Sequence, residues 1–212
     1  MSIYLSSDHH FYHARALEIL PNRKFQTIDE MNEKLIQNHN KIVKADDFVI
    51  FLGDLVMGNK TINVPKILSQ LQGRKALIYG NHDAAFDDNR PGKKEEANKL
   101  YLDNGILKLY NGQVNFEQVL SDNNEPIPYD LSFITLCHFP FDGVPEHEIN
   151  KYNLRYKELH VKDDGSNWVF HGHLHSTKPM ARPRMIDVGV DANRMKPVSL
   201  NSLMIIVAGY KE

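Results

Sequence analysis

The sequence predicts an α/β fold, and three observations carry that expectation. Short apolar runs rich in β-branched and aromatic residues recur along the chain, as strands buried on both faces require. Amphipathic helical stretches lie between several of them. Small polar or ionisable residues stand repeatedly where such a run ends. The clearest run is Phe48, Val49, Ile50, Phe51 and Leu52, bounded by Asp46 and Asp47 and ending in Gly53 and Asp54. In an open α/β sheet the carboxyl ends of the strands form the edge where ligands bind, because helices do not cover it.

Composition bounds the rest. With 212 residues and 42% hydrophobic content the chain can bury a sizeable core, and we expect one domain over 1–212. A net charge of −2 gives no global electrostatic case for a nucleic-acid or membrane-surface protein, so nucleic acid is a partner that charge does not support. The one cysteine, Cys137, permits no internal disulfide and points to a reducing compartment. Asp8 arrives before a signal-peptide core could form, and no apolar run is long enough to span a bilayer. The expectation is a cytoplasmic protein with no membrane partner; its oligomeric state is not legible.

In order, 2–7 reads as a short strand leading into Asp8, His9 and His10, with Asp8 and His10 on one side if the segment stays extended. Residues 11–20 look helical and end at Pro21. Thr27 and Glu30 form a capping box for an amphipathic helix reaching about Lys44, with His39 on or near its apolar stripe. After the strand ending at Asp54, Asn63 can cap a short helix that Gly73 stops. Residues 76–79 form a strand ending in Gly80, Asn81, His82 and Asp83, and a charged segment then enters a helix to about Asn104. Asn111-Gly112 within 106–120 is a hairpin signal, and 121–130 reads as a polar loop. A buried strand over 131–137 delivers His138. Residues 141–167 form a long excursion with a short helix near 153–160, of the kind that serves as a lid or binding loop. Residues 168–170 run into His171, Gly172, His173, Leu174 and His175, and 185–190 and 203–208 read as closing strands.

Strand ends thus offer Asp8, His10, Asp54, Asn81, His82, His138, His173 and His175 to one edge. Short carboxylates, imidazoles and an amide oxygen suit manganese, iron, zinc, nickel or cobalt, and the lack of thiolates argues against a structural zinc site. A carboxylate can hold two ions at once, and such a pair can activate a shared hydroxide for displacement at phosphorus.

Asp8-x-His10, Gly53-Asp54, Gly80-Asn81-His82-Asp83, His138 and Gly172-His173-x-His175 together resemble, complete and in order, the motif set of the calcineurin-like metallophosphoesterases. Residues 11–13 and the helix over 31–40 resemble a small stand-alone bacterial and phage branch; the 141–167 excursion departs from it in length. The resemblance implies a four-layer αββα sandwich of two mixed β-sheets flanked by helices. It implies two divalent ions, manganese first, one held by Asp8, His10, Asp54 and His175 and the other by Asp54, Asn81, His138 and His173. His82 matches the residue that meets the phosphate and protonates the leaving oxygen, with Asp83 orienting its ring or raising its pKa.

Further candidates are His13, one turn after His10, and Arg182 and Arg184, which can bind phosphate as forks. His171 reads as a strand-packing residue, Cys137 as a buried small hydrophobe, and Asp191 as a turn residue or a support to the ligands. The expected reaction is hydrolysis of a small phosphoester or nucleotide by a metal-bridging hydroxide. A diester is favoured over a monoester because Leu55, Val56, Met57 and Gly58 stand where family protein phosphatases carry Asp-Arg-Gly. Phe141, Tyr152 and Tyr156 could face an aromatic group of the substrate. The alternatives are a phosphomonoesterase on the same centre and a scaffold on the same fold, like the metallophosphoesterase-like subunit of the retromer coat; the full ligand set disfavours the scaffold.

Overall fold

Parallel strands joined by helical crossovers build the first half of the chain. The computed structural model describes residues 1–20, 22–84, 86, 92–143, 156–180 and 182–210. Strand β1 (Ile3–Ser6), β2 (Phe48–Phe51), β3 (Arg74–Ile78) and β4 (Ile106–Tyr110) pair in parallel, and β9 (Val198–Ser199) adds antiparallel to β1. The resulting sheet has the order β4-β3-β2-β1-β9. A second sheet has the order β5-β6-β7-β8, from β5 (Val114–Asn115), β6 (Ile134–Leu136), β7 (Trp168–His171) and β8 (Met185–Asp187). Only the β5–β6 pair is antiparallel there. Both sheets are therefore mixed and flanked by helices, as expected.

Strand alternation sorts the core. Phe48, Ile50 and Leu52 pack with Ile134, Leu136, Phe170 and Ile186, the layer between the sheets. Val49, Phe51 and Leu77 face the other way, onto Met31 and Leu35 of α2 (Ile28–Ile42), Val64 and Ile67 of α3 (Lys60–Leu68), and Ala97 and Tyr101 of α4 (Lys93–Asp103). Cys137, Phe139, Phe141, Val161, Val169 and Met185 form a third cluster on the far face of the second sheet.

The capping box is present: Thr27 Oγ1 accepts from the Glu30 amide at 3.1 Å, while Glu30 Oε2 reaches one residue further back, to the Gln26 amide at 2.7 Å. His39 is buried, as its stripe position implies. Other expectations need correction. The helix expected over 11–20 is only α1 (Ala16–Ile19), because Phe11 bridges to Val56 and goes into the core and Tyr12 turns left-handed. Helix α3 starts at Lys60 after Asn59; Asn63 lies inside it and donates to the Met57 carbonyl at 2.9 Å. Asn111-Gly112 is no hairpin turn: it carries the chain from β4 in one sheet to β5 in the other. Residues 116–122, read as the end of that hairpin and the start of a loop, form α5 (Phe116–Asp122).

The expected strand over 203–208 is helix α6 (Leu200–Gly209). Its Leu-Met-Ile-Ile-Val run has β-type composition, but the Ser199 hydroxyl accepts from the Ser202 amide at 3.2 Å and Leu200 and Leu203 pack into the core. Within 153–160 the described residues hold a 3₁₀ turn at Lys157–Leu159, and residues 144–155 of the excursion lie outside the description, Tyr152 among them. No helix among the described residues is long and apolar enough to cross a membrane.

Candidate metal centre

The strand ends do not stay extended. Asp8, His10, Asp54, His173 and His175 all have positive φ, at 58°, 51°, 52°, 69° and 51°. A left-handed non-glycine residue costs on the order of 1 kcal/mol or more, so their clustering marks a site whose surroundings enforce the geometry. Alternation along an extended segment is therefore not why Asp8 and His10 converge; the coiling of the strand ends is. The glycines permit that coiling. A Cβ on Gly80 would overlap the Asp54 carboxylate and lie 2.6 Å from the Asp54 amide, and one on Gly172 would overlap Ser7 Oγ and Asp8 Oδ2.

Two groups of donor atoms result. In the first, His10 Nε2 lies 3.2 Å from His175 Nε2, and these nitrogens are 3.9 and 3.8 Å from Asp8 Oδ1. Asp8 Oδ1 is buried and has no hydrogen-bond partner among the described residues. Ligand atoms around an ion at about 2.1 Å lie about 3.0 to 3.4 Å apart, so this triangle needs little contraction to hold one. His175 Nδ1 is bonded to Asp191 Oδ2 at 2.7 Å, which leaves Nε2 of the neutral ring as the lone-pair atom facing that triangle.

The second group joins Asp8, Asp54 and His138, whose donor atoms all lie within 4.8 Å of one another. His138 Nδ1 is 2.7 Å from the Leu52 carbonyl, to which it donates, and Nε2 stands 3.0 Å from Asn81 Oδ1. On the neutral ring that pair is two acceptors face to face, which a proton or a metal ion between them resolves. The His173 ring packs on His138 with centroids 5.1 Å apart. Asp54 Oδ2 lies 3.6 Å from His10 Nε2 and 3.6 Å from His138 Nε2, between the two groups.

The electrostatics fit a cation. Burial pushes the Asp8 carboxyl up to about 6. Burial works the same way on Asp54, but His138, His82 and the His82 amide outweigh it and its pKa is lowered. Burial would lower His138 and His175; Asp54 and Asp8 raise the first, and the Asp191 bond and Asp8 raise the second. The Asp8 and Asp54 carboxylates are thus opposed by imidazoles.

Residues 1–177, which contain both groups of donor atoms, match the calcineurin-like phosphoesterase family. The chain belongs to that family. An uncharacterized protein of Methanocaldococcus jannaschii is 30% identical over 212 residues, 97% of this chain and 90% of that protein. The Gene 66 protein of Mycobacterium phage L5 is 30% identical over 199 residues, 89% of this chain and 86% of the phage protein. A protein of unknown function from Aquifex aeolicus shares the fold at a TM-score of 0.63 and 24% identity, over 97% of this chain and 98% of its own.

In this calcineurin-like phosphoesterase the His82 side chain is exposed beside the site, its ring 5.5 Å from His10 and 6.5 Å from His13. Its backbone is fixed: the amide donates to Asp54 Oδ1 at 2.8 Å and Lys60 Nζ donates to the carbonyl. Asp83 does not address the His82 ring. Its oxygens accept from the amides of Asp54, Gly80 and Leu55 at 2.8, 2.9 and 3.2 Å and from the Tyr101 hydroxyl at 3.1 Å, so it ties the ends of β2 and β3 together. His13 packs edge-on against His10 at 5.5 Å. Arg184 pairs with Asp163 at 2.6 Å, and Arg182 donates to the Gly143 carbonyl at 3.3 Å. His171 is buried in β7, bonded to the Gly172 carbonyl at 2.7 Å. Cys137 is buried, its thiol pushed up to about 11.

Leu55 and Val56 are wholly buried in the core, so they offer no exposed apolar wall to the candidate centre. Phe141 is likewise buried, against Val161. Half-buried Tyr156 and Phe86 meet at 5.4 Å, next to Phe139, which lies 4.9 Å from His173. The residues that sequence reasoning missed are Tyr101 and Arg23, and Asp191 emerges as a partner of both Arg23 and His175.

Proposed function

We propose that the chain hydrolyses a phosphate ester at two divalent ions, one held by Asp8, His10, Asp54 and His175 and the other by Asp54, Asn81, His138 and His173. The position of Asp54 Oδ2, 3.6 Å from a histidine nitrogen of each group, carries this reading. Manganese is the first choice, with iron, nickel, cobalt or zinc as other fits to a donor set of carboxylate, imidazole and amide oxygen. Such ions when bound supply Lewis acidity toward the phosphoryl oxygens and a nucleophilic water at neutral pH. The protein's own part is to hold Asp54 in place through Asp83 and the His82 amide, and to present the exposed His82 ring to the ester. There His82 donates a proton to the leaving oxygen.

A phosphodiester or small nucleotide is the favoured substrate. A monoester brings close to two charges and gains from free cations beyond the metals. Arg23 and Lys60, both beside the site, spend their donors on Asp191 and on backbone carbonyls. The aromatic group of Phe86, Phe139 and Tyr156 beside His173 supports a role for part of 141–167 in contacting the organic arm. Paired chromogenic mono- and diesters with one leaving group, assayed across manganese, nickel, cobalt, zinc and magnesium with metal content measured, test both levels. The diester should lead in kcat/KM. A tenfold preference for the monoester, about 1.4 kcal/mol in transition-state binding, overturns the diester reading, and no turnover with any ion overturns the enzyme.

A further inference from the structure

We propose that Arg23 is a positioning residue that builds the Asp8–His10–His175 half of the centre separately from the other half, so that its loss leaves a protein able to hold one ion well and the other poorly. The inference rests on the two-ion reading above and adds to it a residue that no ligand motif contains.

The Arg23 side chain is fully buried. Nε donates to Asp191 Oδ1 at 3.0 Å and Nη2 to Asp191 Oδ2 at 2.7 Å, a two-pronged ion pair. Nη1 donates to the His9 carbonyl at 2.7 Å, and Nη2 also donates to the Asp8 carbonyl. One guanidinium therefore grips two carbonyls of the turn in which Asp8 and His10 are both left-handed. It also grips the carboxylate that bonds His175 Nδ1. The turn follows β1 and His175 follows β7, so Arg23 joins the ends of strands from the two sheets. It fixes a strained backbone on one side and an imidazole tautomer on the other, and the three donor atoms Asp8 Oδ1, His10 Nε2 and His175 Nε2 converge as a result.

Of the second group its bonds touch only the Asp8 backbone carbonyl; none reaches Asp54, Asn81, His138 or His173. That half is braced instead by the Leu52 carbonyl on His138 and by Asp83 on the Asp54 turn. A lysine at position 23 cannot replace the fork, because one ammonium cannot hold both carboxylate oxygens and two carbonyls in this planar arrangement.

The test uses Arg23→Met and Arg23→Lys. Because Arg23→Met leaves the Asp191 charge buried and unpaired, which can unfold the protein, Arg23→Met/Asp191→Asn is made beside it. Cobalt(II) binding is measured by equilibrium dialysis with visible absorption. The metal-free proteins are examined by long-range ¹H–¹⁵N spectra of the His175 ring, followed with pH and compared above its measured titration. In the wild type His175 is the Nδ1–H tautomer, and two cobalt ions bind. In the Arg23 variants one ion keeps its affinity within about threefold and the other weakens by about 10- to 100-fold, the usual effect of removing a partner behind a ligand. The His175 tautomer becomes mixed, while the His138 signals stay in place.

Two ions bound at wild-type affinity by any folded variant, or equal weakening of both, overturns the proposal. So does an unchanged His175 tautomer. A wild type that binds no ion pair refutes the two-ion reading instead, and the tautomer measurement then decides the role of Arg23 alone.

Discussion

At His82 the backbone and the side chain have separate duties, and that separation makes its chemistry testable. The amide and carbonyl are held by Asp54 and Lys60, while the ring is exposed and none of its atoms is needed to close either donor group. His82→Asn should therefore keep both ions, since its backbone bonds survive. Turnover of a poor leaving group should fall by ~10² to 10⁴, the usual scale of proton donation, and that of a good leaving group by less. Equal losses for the two esters would remove the proton-donor role. Asp83 teaches the complementary lesson. Its place next to His82 in the sequence points to the imidazole, yet its oxygens serve three backbone amides and Tyr101, because a buried carboxylate goes where unpaired N–H groups are.

At the scale of elements, the ends of β1, β2, β3 and β7 touch so closely that glycine is required between them. In Gly80→Ala the new methyl group meets the Asp54 amide at 2.6 Å and overlaps its carboxylate, and the contact is with backbone, which cannot swing away. We expect a loss of about 1 to 3 kcal/mol in denaturant unfolding together with reduced metal content; a variant that keeps both would show that the strand ends can move apart. Strands β1, β2, β3, β6, β7 and β8 and the Thr27 cap were legible, because each is signalled within a few residues of itself. Helix α6 was not: its apolar run matches strand composition, and only its cap and its packing onto the second layer settle the matter. Asn111-Gly112 carried a true local turn signal whose strands then part into different sheets, a tertiary decision. Arg23 was invisible for the same reason, since its partner Asp191 lies 168 positions away and nothing around residue 23 announces a buried charge.

Over the whole molecule the centre lies at the seam of the two sheets, with Asp8, His10, Asp54 and Asn81 from one and His138, His173 and His175 from the other. Ions that bind only the folded chain then stabilise it by mass action, by about 2.7 kcal/mol at a hundredfold excess over Kd for one site. For a chain of this length that is a rise in Tm of roughly 5 to 10 °C. Adding manganese to chelator-stripped protein should give such a rise, and Asp54→Asn should abolish most of it, because a neutral amide is a poor bridge between two cations. An equal rise in both proteins would detach the stabilisation from this centre. The distances along the chain carry a further consequence, for time rather than for equilibrium. His10 and His175 are 165 positions apart, and the amide of His173 reaches Asp8 across the same span. Closing loops of that size through parallel crossovers comes late in folding, after the strands of each sheet have found their neighbours. Ions at such a centre would have no complete site to enter until the chain is nearly native, and would act as a latch on departure: unfolding should slow in their presence, while the rate of refolding should stay as it was.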